Sequence, residues 1–361
     1  MADKLTSCIG CLLGMAVGDA MGYTVDEKTW EQITEDYGPN GLLGYDIVNG
    51  GVQVSSYTQV GAYAANGLLL GVTRGRPELF IKYVQISLRE WAKRQNLPGD
   101  PSRFYCWVSH VPSLRKKACR DSRMLDALRL QNLGTVDAPR NSNANPGALP
   151  AAAVVGLAYD PKRMESTWIT ELGAAAVAST HGNVETFLTG AVLANVIAGI
   201  LQDPKKTLED QFLLAIEAMD IRYRMQFDQA AALAAKLKLA MQKPMTGEQQ
   251  IMEAFVCDTA AQCLAGAMYA CLSSQGDFDA AMITAVNHSG RSAAVGAITG
   301  AVLGAHQGSD ALPDFYLEGL EVAQVLTALA DDLCQGSPTM GLFDDDWDHK
   351  YNQGLPVGNY L

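Results

Sequence analysis

Residues Asn287 to Ala305 read NHSGRSAAVGAITGAVLGA, a polar, turn-like opening followed by a helical pattern with glycine at 296, 300 and 304. Spacing of four places those glycines on one helix face, where a missing side chain lets another backbone come close. The polar run before them stands at the helix start, where free backbone N–H groups and the helix dipole favour an anion. This stretch predicts a closely packed helix with a polar site at its N-terminal end.

A matching pattern opens the chain. From Leu5 to Gly22, Ile9, Leu12, Leu13, Ala16, Val17 and Ala20 follow helical periodicity, with Gly14, Gly18 and Gly22 on an adjoining face. Its polar exception is Asp19. A buried carboxylate is costly unless it is hydrogen-bonded, so Asp19 reads either as a cap or core hydrogen bond or as a ligand-facing acid.

Between these two ends the pattern is helical nearly throughout. Thr34 to Val52 holds Pro39 and Gly38, Gly41, Gly44, Gly50 and Gly51, a density that predicts a surface loop leading to a site. Ser55, Ser56 and Tyr57 then stand at a helix start, with serine a good N-cap. Pro77 to Arg94 predicts an amphipathic helix, PGDPSR breaks it, and Phe104 to Arg129 reads as a basic helical segment, either a solvated face or a phosphate contact. Leu133 to Pro150 is the longest stretch without a pattern, and loops of that length in a compact chain tend to be functional. Helices are expected over Ala151–Gly156, Leu172–Thr180, Val184–Leu201, Asp210–Lys238, Thr246–Leu272 and Phe315–Cys334. No strand competes. A polar tail is expected from about residue 336, with Asp344 to Asp346 as tail charge. Motifs near residues 10, 55, 141, 181 and 290 must meet at one place, which argues for a single domain over residues 1–361.

Composition narrows the function classes. Lysine and arginine number 27 against 39 acids, giving a net charge of -12 that repels nucleic acid phosphates and an anionic membrane. Neither nucleic acid nor membrane is expected as a partner. Eight cysteines, several in apolar runs, suit a reducing cytoplasm better than a disulfide framework, and Cys8 and Cys11 read as buried small hydrophobes. The start lacks the basic region and cleavage site of a signal peptide, so the expected location is cytoplasmic.

The spaced segments resemble the ADP-ribosylglycohydrolase family. Gly10 to Asp26 is similar to its opening motif, Gly-Asp-Ala-[Leu/Met]-Gly and a glutamate four residues on, with Asp26 in the glutamate's place. Against the family's Thr-Asp-Asp-Thr-Gln, Thr58 and Gln59 are retained while Ser55, Ser56 and Tyr57 replace the threonine and both aspartates. Arg120 to Arg123, RDSR, stands where the family has Pro-Gly-Asn-Thr. Asn141 and Ser142 match its Asn-Ser-Lys-Gly loop, with Asn143 for the lysine, Gly147 one place late and Pro150 for a later arginine. Thr180-His181-Gly182 matches its Thr-His-Gly, and FVCDTA at 255–260 resembles Trp-Val-x-Glu. Its closing motif, Gly-Asp-x-Asp-[Ser/Thr], aligns with Gly290, Arg291, Ser292, Ala293 and Ala294.

The resemblance implies an all-α, multi-helix orthogonal bundle that hydrolyses the bond between ADP-ribose and arginine, serine or a related acceptor, with two magnesium ions held by the aspartates. Magnesium wants near-octahedral oxygen donors including carboxylates, and four acidic positions here are Ser56, Tyr57, Arg291 and Ala293. The expectation is a chain without the metal pair and with no cofactor. Three readings follow. The first is a non-hydrolysing protein whose Arg291 holds a small anionic or ADP-ribosyl ligand, oriented by Asp19, Asp26, Asn141, His181 and His288, with Ser55, Ser56, Tyr57, Ser142, Gly147, Ser289, Gly290 and Ser292 around it. The second is a metal-free hydrolase or lyase with Asp26 or Asp19 as general base. The third is a structural or partner-binding protein, its partner open. For Arg291 itself the alternative to holding a ligand is an internal ion pair with Asp19 or Asp26 that fills the vacated space.

Overall fold

The computed structural model describes residues 2–45, 51–95, 104–158, 166–336 and 344–358. Gly50 and the PGDPSR segment lie outside the described residues. In chain order the helices are α1 (Lys4–Val25), α2 (Trp30–Tyr37), α3 (Ser56–Thr73), α4 (Phe80–Arg94), α5 (Ser122–Arg129) and α6 (Leu149–Leu157). There follow α7 (Ser166–Ala178), α8 (Val184–Gln202), α9 (Leu208–Tyr223), α10 (Gln229–Ala240), α11 (Gln249–Glu253) and α12 (Ala260–Ser273). The series closes with α13 (Phe278–Val286), α14 (Ser292–Gln307), α15 (Asp314–Leu317), α16 (Ala323–Gln335) and α17 (Asp345–Asp348). Local chemistry sets many of the starts. Asp3, Ser55, Asn183, Thr207 and Asp277 cap their helices, and Thr29 and Thr259 form capping boxes with Gln32 and Gln262. Among the described residues the only strand-like pairing is a parallel bridge between Val52 and Leu320.

The two glycine stripes meet each other. α1 and α14 lie antiparallel at the centre, and a Cβ built on Gly14 would stand 2.1 Å from the Gly300 carbonyl oxygen, while one on Gly18 would stand 1.9 Å from that of Gly296. The relation is reciprocal: a Cβ on Gly304 would come within 1.9 Å of the Gly10 oxygen. Backbone packs on backbone at four successive levels, Gly10, Gly14, Gly18 and Gly22, at a distance that only glycine permits. Around this pair, α3 and α16 pack on α1, α12 and α13 on α14, and α8 joins α6, α7, α9 and α12. α1 and α8 are long and apolar enough to cross a bilayer, but most of each is buried inside the fold (83% and 72%). Their apolar character is that of core helices.

Several expected helices are divided, each for a visible reason. Phe104–Arg129 forms two short 3₁₀ turns and then runs extended to α5. Pro112 interrupts it, and the side chain of Gln95 accepts from the Ala118 and Cys119 N–H groups and donates to the Lys116 carbonyl, meeting the polar groups that a helix would have paired. The 210–238 helix breaks after Tyr223, turning Phe227 inward against Phe187 and Tyr223. The 246–272 helix breaks between α11 and α12, where Val256 and Cys257 both take positive φ. The 315–334 helix breaks at Gly319, φ 77°, whose carbonyl accepts the Val52 N–H. The C-terminal segment is no free tail in its described part: Trp347 and Tyr351 are buried, the Trp347 indole N–H donates to Thr73 Oγ1 at 3.0 Å, and Asp344 caps α17.

Candidate functional site

Because α1 and α14 run antiparallel, the C-terminal end of α1 meets the N-terminal end of α14. Asp26 follows α1 directly, and its Oδ1 accepts the Ala293 N–H at 3.2 Å. The anion favoured at this helix N-terminus is thus the chain's own carboxylate. Burial pushes the Asp26 carboxyl above its ordinary range, opposed by the Ala293 N–H and by Arg120.

Two turns earlier on α1, Asp19 does the same for α3. Its Oδ2 accepts the N–H groups of Ser55 (2.9 Å) and Thr58 (3.0 Å) and the Thr58 hydroxyl, while Oδ1 accepts the Ser55 hydroxyl. Asp19 is fully buried. Burial raises its pKa to about 6 against the lowering by these Ser55 and Thr58 hydrogen bonds. Of the two sequence readings of Asp19, the core hydrogen bond is the one the geometry displays.

A cleft opens beside these ends. It is lined by Asp26, Ser55, Ser56, Tyr57, Gly147 and Arg291, together with Tyr23, Glu27, Arg120, Asp121 and Asn145. Counting its open mouth the cleft holds about 470 Å³, but its interior free space is about 30 Å³, room for about two waters. A larger molecule in this conformation lies across the mouth.

Arg291 does not pair with Asp19 or Asp26, the internal contact considered for it. Its Nε donates to the Asp258 carbonyl at 3.0 Å and to Asp258 Oδ1 at 3.1 Å, and Nη2 lies 3.0 Å from the same Oδ1. The acids on α1 are committed elsewhere: Asp19 to α3, and Asp26 to α14 and to Arg120 Nη1 at 3.5 Å. Arg120 also reaches Glu27 at 3.0 Å and stacks over the Tyr23 ring. A guanidinium carries five N–H donors, so both arginines keep donors beyond these contacts. The Arg291 side chain is 33% exposed and that of Arg120 47%. Burial holds the Tyr57 phenol well above its usual pKa, so at neutral pH its hydroxyl keeps its proton.

The opposite wall is built on Asp121. Its Oδ1 accepts the Met124 N–H, capping α5, and its Oδ2 takes Asn143 Nδ2 at 2.8 Å and His181 Nε2 at 3.0 Å. Thr180 Oγ1 lies 2.8 Å from His181 Nδ1, completing a Thr-His-Asp line whose outer member faces the cleft. Burial would raise the Asp121 carboxyl, but the His181 and Asn143 bonds outweigh it and hold it well below the usual carboxylate range. Asn141 pins the long loop to this corner, donating to the Thr180 carbonyl and accepting from the Gly182 and Asn143 N–H groups.

The remaining residues singled out from sequence do not line the cleft. Ser142 is exposed. His288 is buried, donating from Nε2 to the Ala285 carbonyl and accepting the Gly290 N–H at Nδ1, and burial lowers its pKa to about 4. Ser289 bonds Glu253 and the Trp30 N–H, the Ser292 hydroxyl donates to the His288 carbonyl, and Gly290 admits the Val256 backbone. These groups shape the turn that presents Arg291. Arg120 and Asp121 entered the sequence reading only within RDSR and the basic segment weighed as a phosphate contact, and Asn145 only within the long loop; none was singled out as a site residue. The signal for Asp121 was present as an Asp-Ser cap before the apolar run of α5.

A central antiparallel glycine pair with a cleft at its α1-C-terminal end, in an all-helical bundle, defines the class. The chain belongs to the ADP-ribosylglycohydrolase family, whose sequence model matches residues 1–341. Among solved structures it is similar to a chain described as an ADP-ribosylglycohydrolase-related protein complex, at 21% identity and a TM-score of 0.61, over 93% of this chain and 99% of that one. That likeness is one of fold. No curated protein sequence matches the chain.

Proposed function

We propose that this chain is a non-hydrolysing member of its family that holds a small anionic, ADP-ribose-like molecule at the cleft mouth without metal ions. The observation that carries the reading is the pair of partly exposed guanidiniums, Arg120 and Arg291, that line the cleft with Asp26. Such forks match phosphate and carboxylate oxygens. The donor set fits a magnesium pair poorly. Ser56, Tyr57, Arg291 and Ala293 occupy the family's acidic positions, Asp26 is bound to Ala293 and Arg120, and a fixed guanidinium opposes a divalent cation nearby. Asp121, held ionised by His181 and Asn143, and the Tyr57 hydroxyl supply polar partners for ribose hydroxyls.

Isothermal titration with ADP-ribose tests this. The expected result is binding that is unchanged by adding or chelating magnesium and lost in Arg291→Ala. Binding that requires magnesium overturns it, and no binding at all points to a structural or partner-binding protein. A second reading, a metal-free hydrolase, is favoured by one observation: Asp26 lines the cleft with its carboxyl raised above the ordinary range by burial, the direction a general base requires. It requires release of ADP-ribose from modified arginine or serine peptides that disappears in Asp26→Asn. Neither nucleic acid nor membrane enters the proposal, and cytoplasmic residence is part of it.

A further inference from the structure

A second concavity lies between α10 and α12, away from the cleft. Its interior free space is about 430 Å³, within the size of small-molecule sites, about 300–1,000 Å³. Ala240 and Ala265 give it small side chains, Leu239 and Phe255 flank it, and Lys236 and Lys243 stand on it. Lys236 is bound to Glu185 at 2.6 Å, whereas Lys243 joins no ion pair among the described residues. Leu239 is 59% exposed. Glu185 lines the groove as well and offsets Lys236, so Lys243 gives it its net positive charge. In a chain of net charge -12 this is a local patch of apolar surface under one cation unpaired among the described residues, and its complement is a molecule with an apolar body and one negative charge.

Phe255 also begins an unusual turn. The Cys257 N–H donates to the Phe255 carbonyl at 2.7 Å across Val256, whose φ is 63°, and Cys257 follows at φ 50°. A β-branched residue at the centre of such a three-residue turn is a sparsely populated conformation that persists only where its surroundings over-determine it. Packing does not account for it, since Val256 is 59% exposed. What the turn does hold is Arg291: the Cys257 carbonyl accepts the Arg291 N–H at 3.0 Å, the Asp258 carbonyl accepts Nε, and Gly290 lets the Val256 oxygen approach to 2.4 Å from where a Cβ would be.

We infer that the α10–α12 groove binds a small amphipathic anion, and that its occupant, resting on Phe255, steadies the strained turn that positions Arg291. The inference is independent of what the cleft binds. Decanoate serves as the probe, titrated calorimetrically below its micelle concentration, with decylamine as the comparison of opposite charge. Expected are one saturable site for decanoate, at least about tenfold weaker affinity for decylamine, and a loss of about tenfold in Lys243→Glu and in Leu239→Ser. Both substitutions lie on exposed positions outside the core. Hydrogen exchange then reads the coupling: saturating decanoate slows exchange of the Arg291 amide in the native chain, and the slowing disappears in Val256→Gly, where the positive φ is no longer strained. Equal binding of decylamine, affinity indifferent to both groove variants, or an Arg291 amide that saturation leaves unchanged overturns the inference.

Discussion

Gly18→Ala sets two effects of opposite sign against each other. Helix propensity alone favours alanine by about 0.8–1 kcal/mol. Packing opposes it, because the new Cβ would lie 1.9 Å from the Gly296 carbonyl oxygen and 2.3 Å from its carbon, both backbone atoms that cannot rotate away. To reach even 3.0 Å, α1 and α14 must part by about 1 Å at that level, and a gap of that size forfeits a quarter to a half of each dispersion contact along the face. Overpacking of this kind costs about 1–3 kcal/mol, and the lost backbone contact adds to it. With the propensity gain subtracted and the lost contact added, the net expectation is destabilisation of about 1–3 kcal/mol. Guanidinium unfolding followed by far-UV circular dichroism measures it as a lower midpoint at unchanged slope. Gly44→Ala is the control, since a Cβ there meets nothing within 4 Å, and it leaves the midpoint within about 0.5 kcal/mol. A Gly18→Ala midpoint equal to or above that of the native chain refutes the close-contact reasoning.

Four further outcomes follow. Asp19 has a folded pKa raised to about 6 from 3.8, so its folded form binds the proton more tightly. Its contribution is fully present below pH 3.8 and is lost as pH rises through about 6, a change of about 3 kcal/mol; unfolding of native chain and Asp19→Asn in parallel shows the native advantage shrinking across that window. Arg291→Ala, a partly exposed ion pair, lowers stability by no more than about 1 kcal/mol, so thermal unfolding stays near native while ADP-ribose binding is lost. Trp347→Ala removes a buried indole and costs about 3–5 kcal/mol, measured as a lower melting temperature, where a free tail would give no change. Asp121→Ala removes the α5 cap and the partner of His181, a loss of about 1–3 kcal/mol detected in the same unfolding assay.

The fold was legible where the signal was periodic. The glycine stripes on α1 and α14 announced close backbone contact, although neither named the other as its partner, because spacing fixes a face and not what covers it. Helix breaks were harder to read. Nothing local in Asp210–Lys238 shows that Phe227 turns inward, since tertiary contacts decide it, whereas in Thr246–Leu272 the Thr259–Gln262 capping box was a local sign of a fresh helix start just after Val256 and Cys257. Within the site, Ser55 stood out as a cap, and Asp26, Ser56, Tyr57, Gly147 and Arg291 do line the cleft. Asp121 and Arg120 were hidden in a basic run whose helical appearance Gln95, just past the end of α4, overrides. Asp258 as the partner of Arg291 was equally invisible, because an ion pair across 33 residues leaves no local trace.

The seating of α1 governs how the fold bears substitution. One rod fixes the first turns of two other helices through Asp19 and Asp26, so backbone N–H groups at those helix starts, and not the side chains of Ser56, Tyr57 or Arg291, key the framework to α1. Exchanging the Ser56, Tyr57 or Arg291 side chain therefore leaves these backbone-held junctions in place. A scaffold built this way tolerates changes at its cleft without loss of the fold.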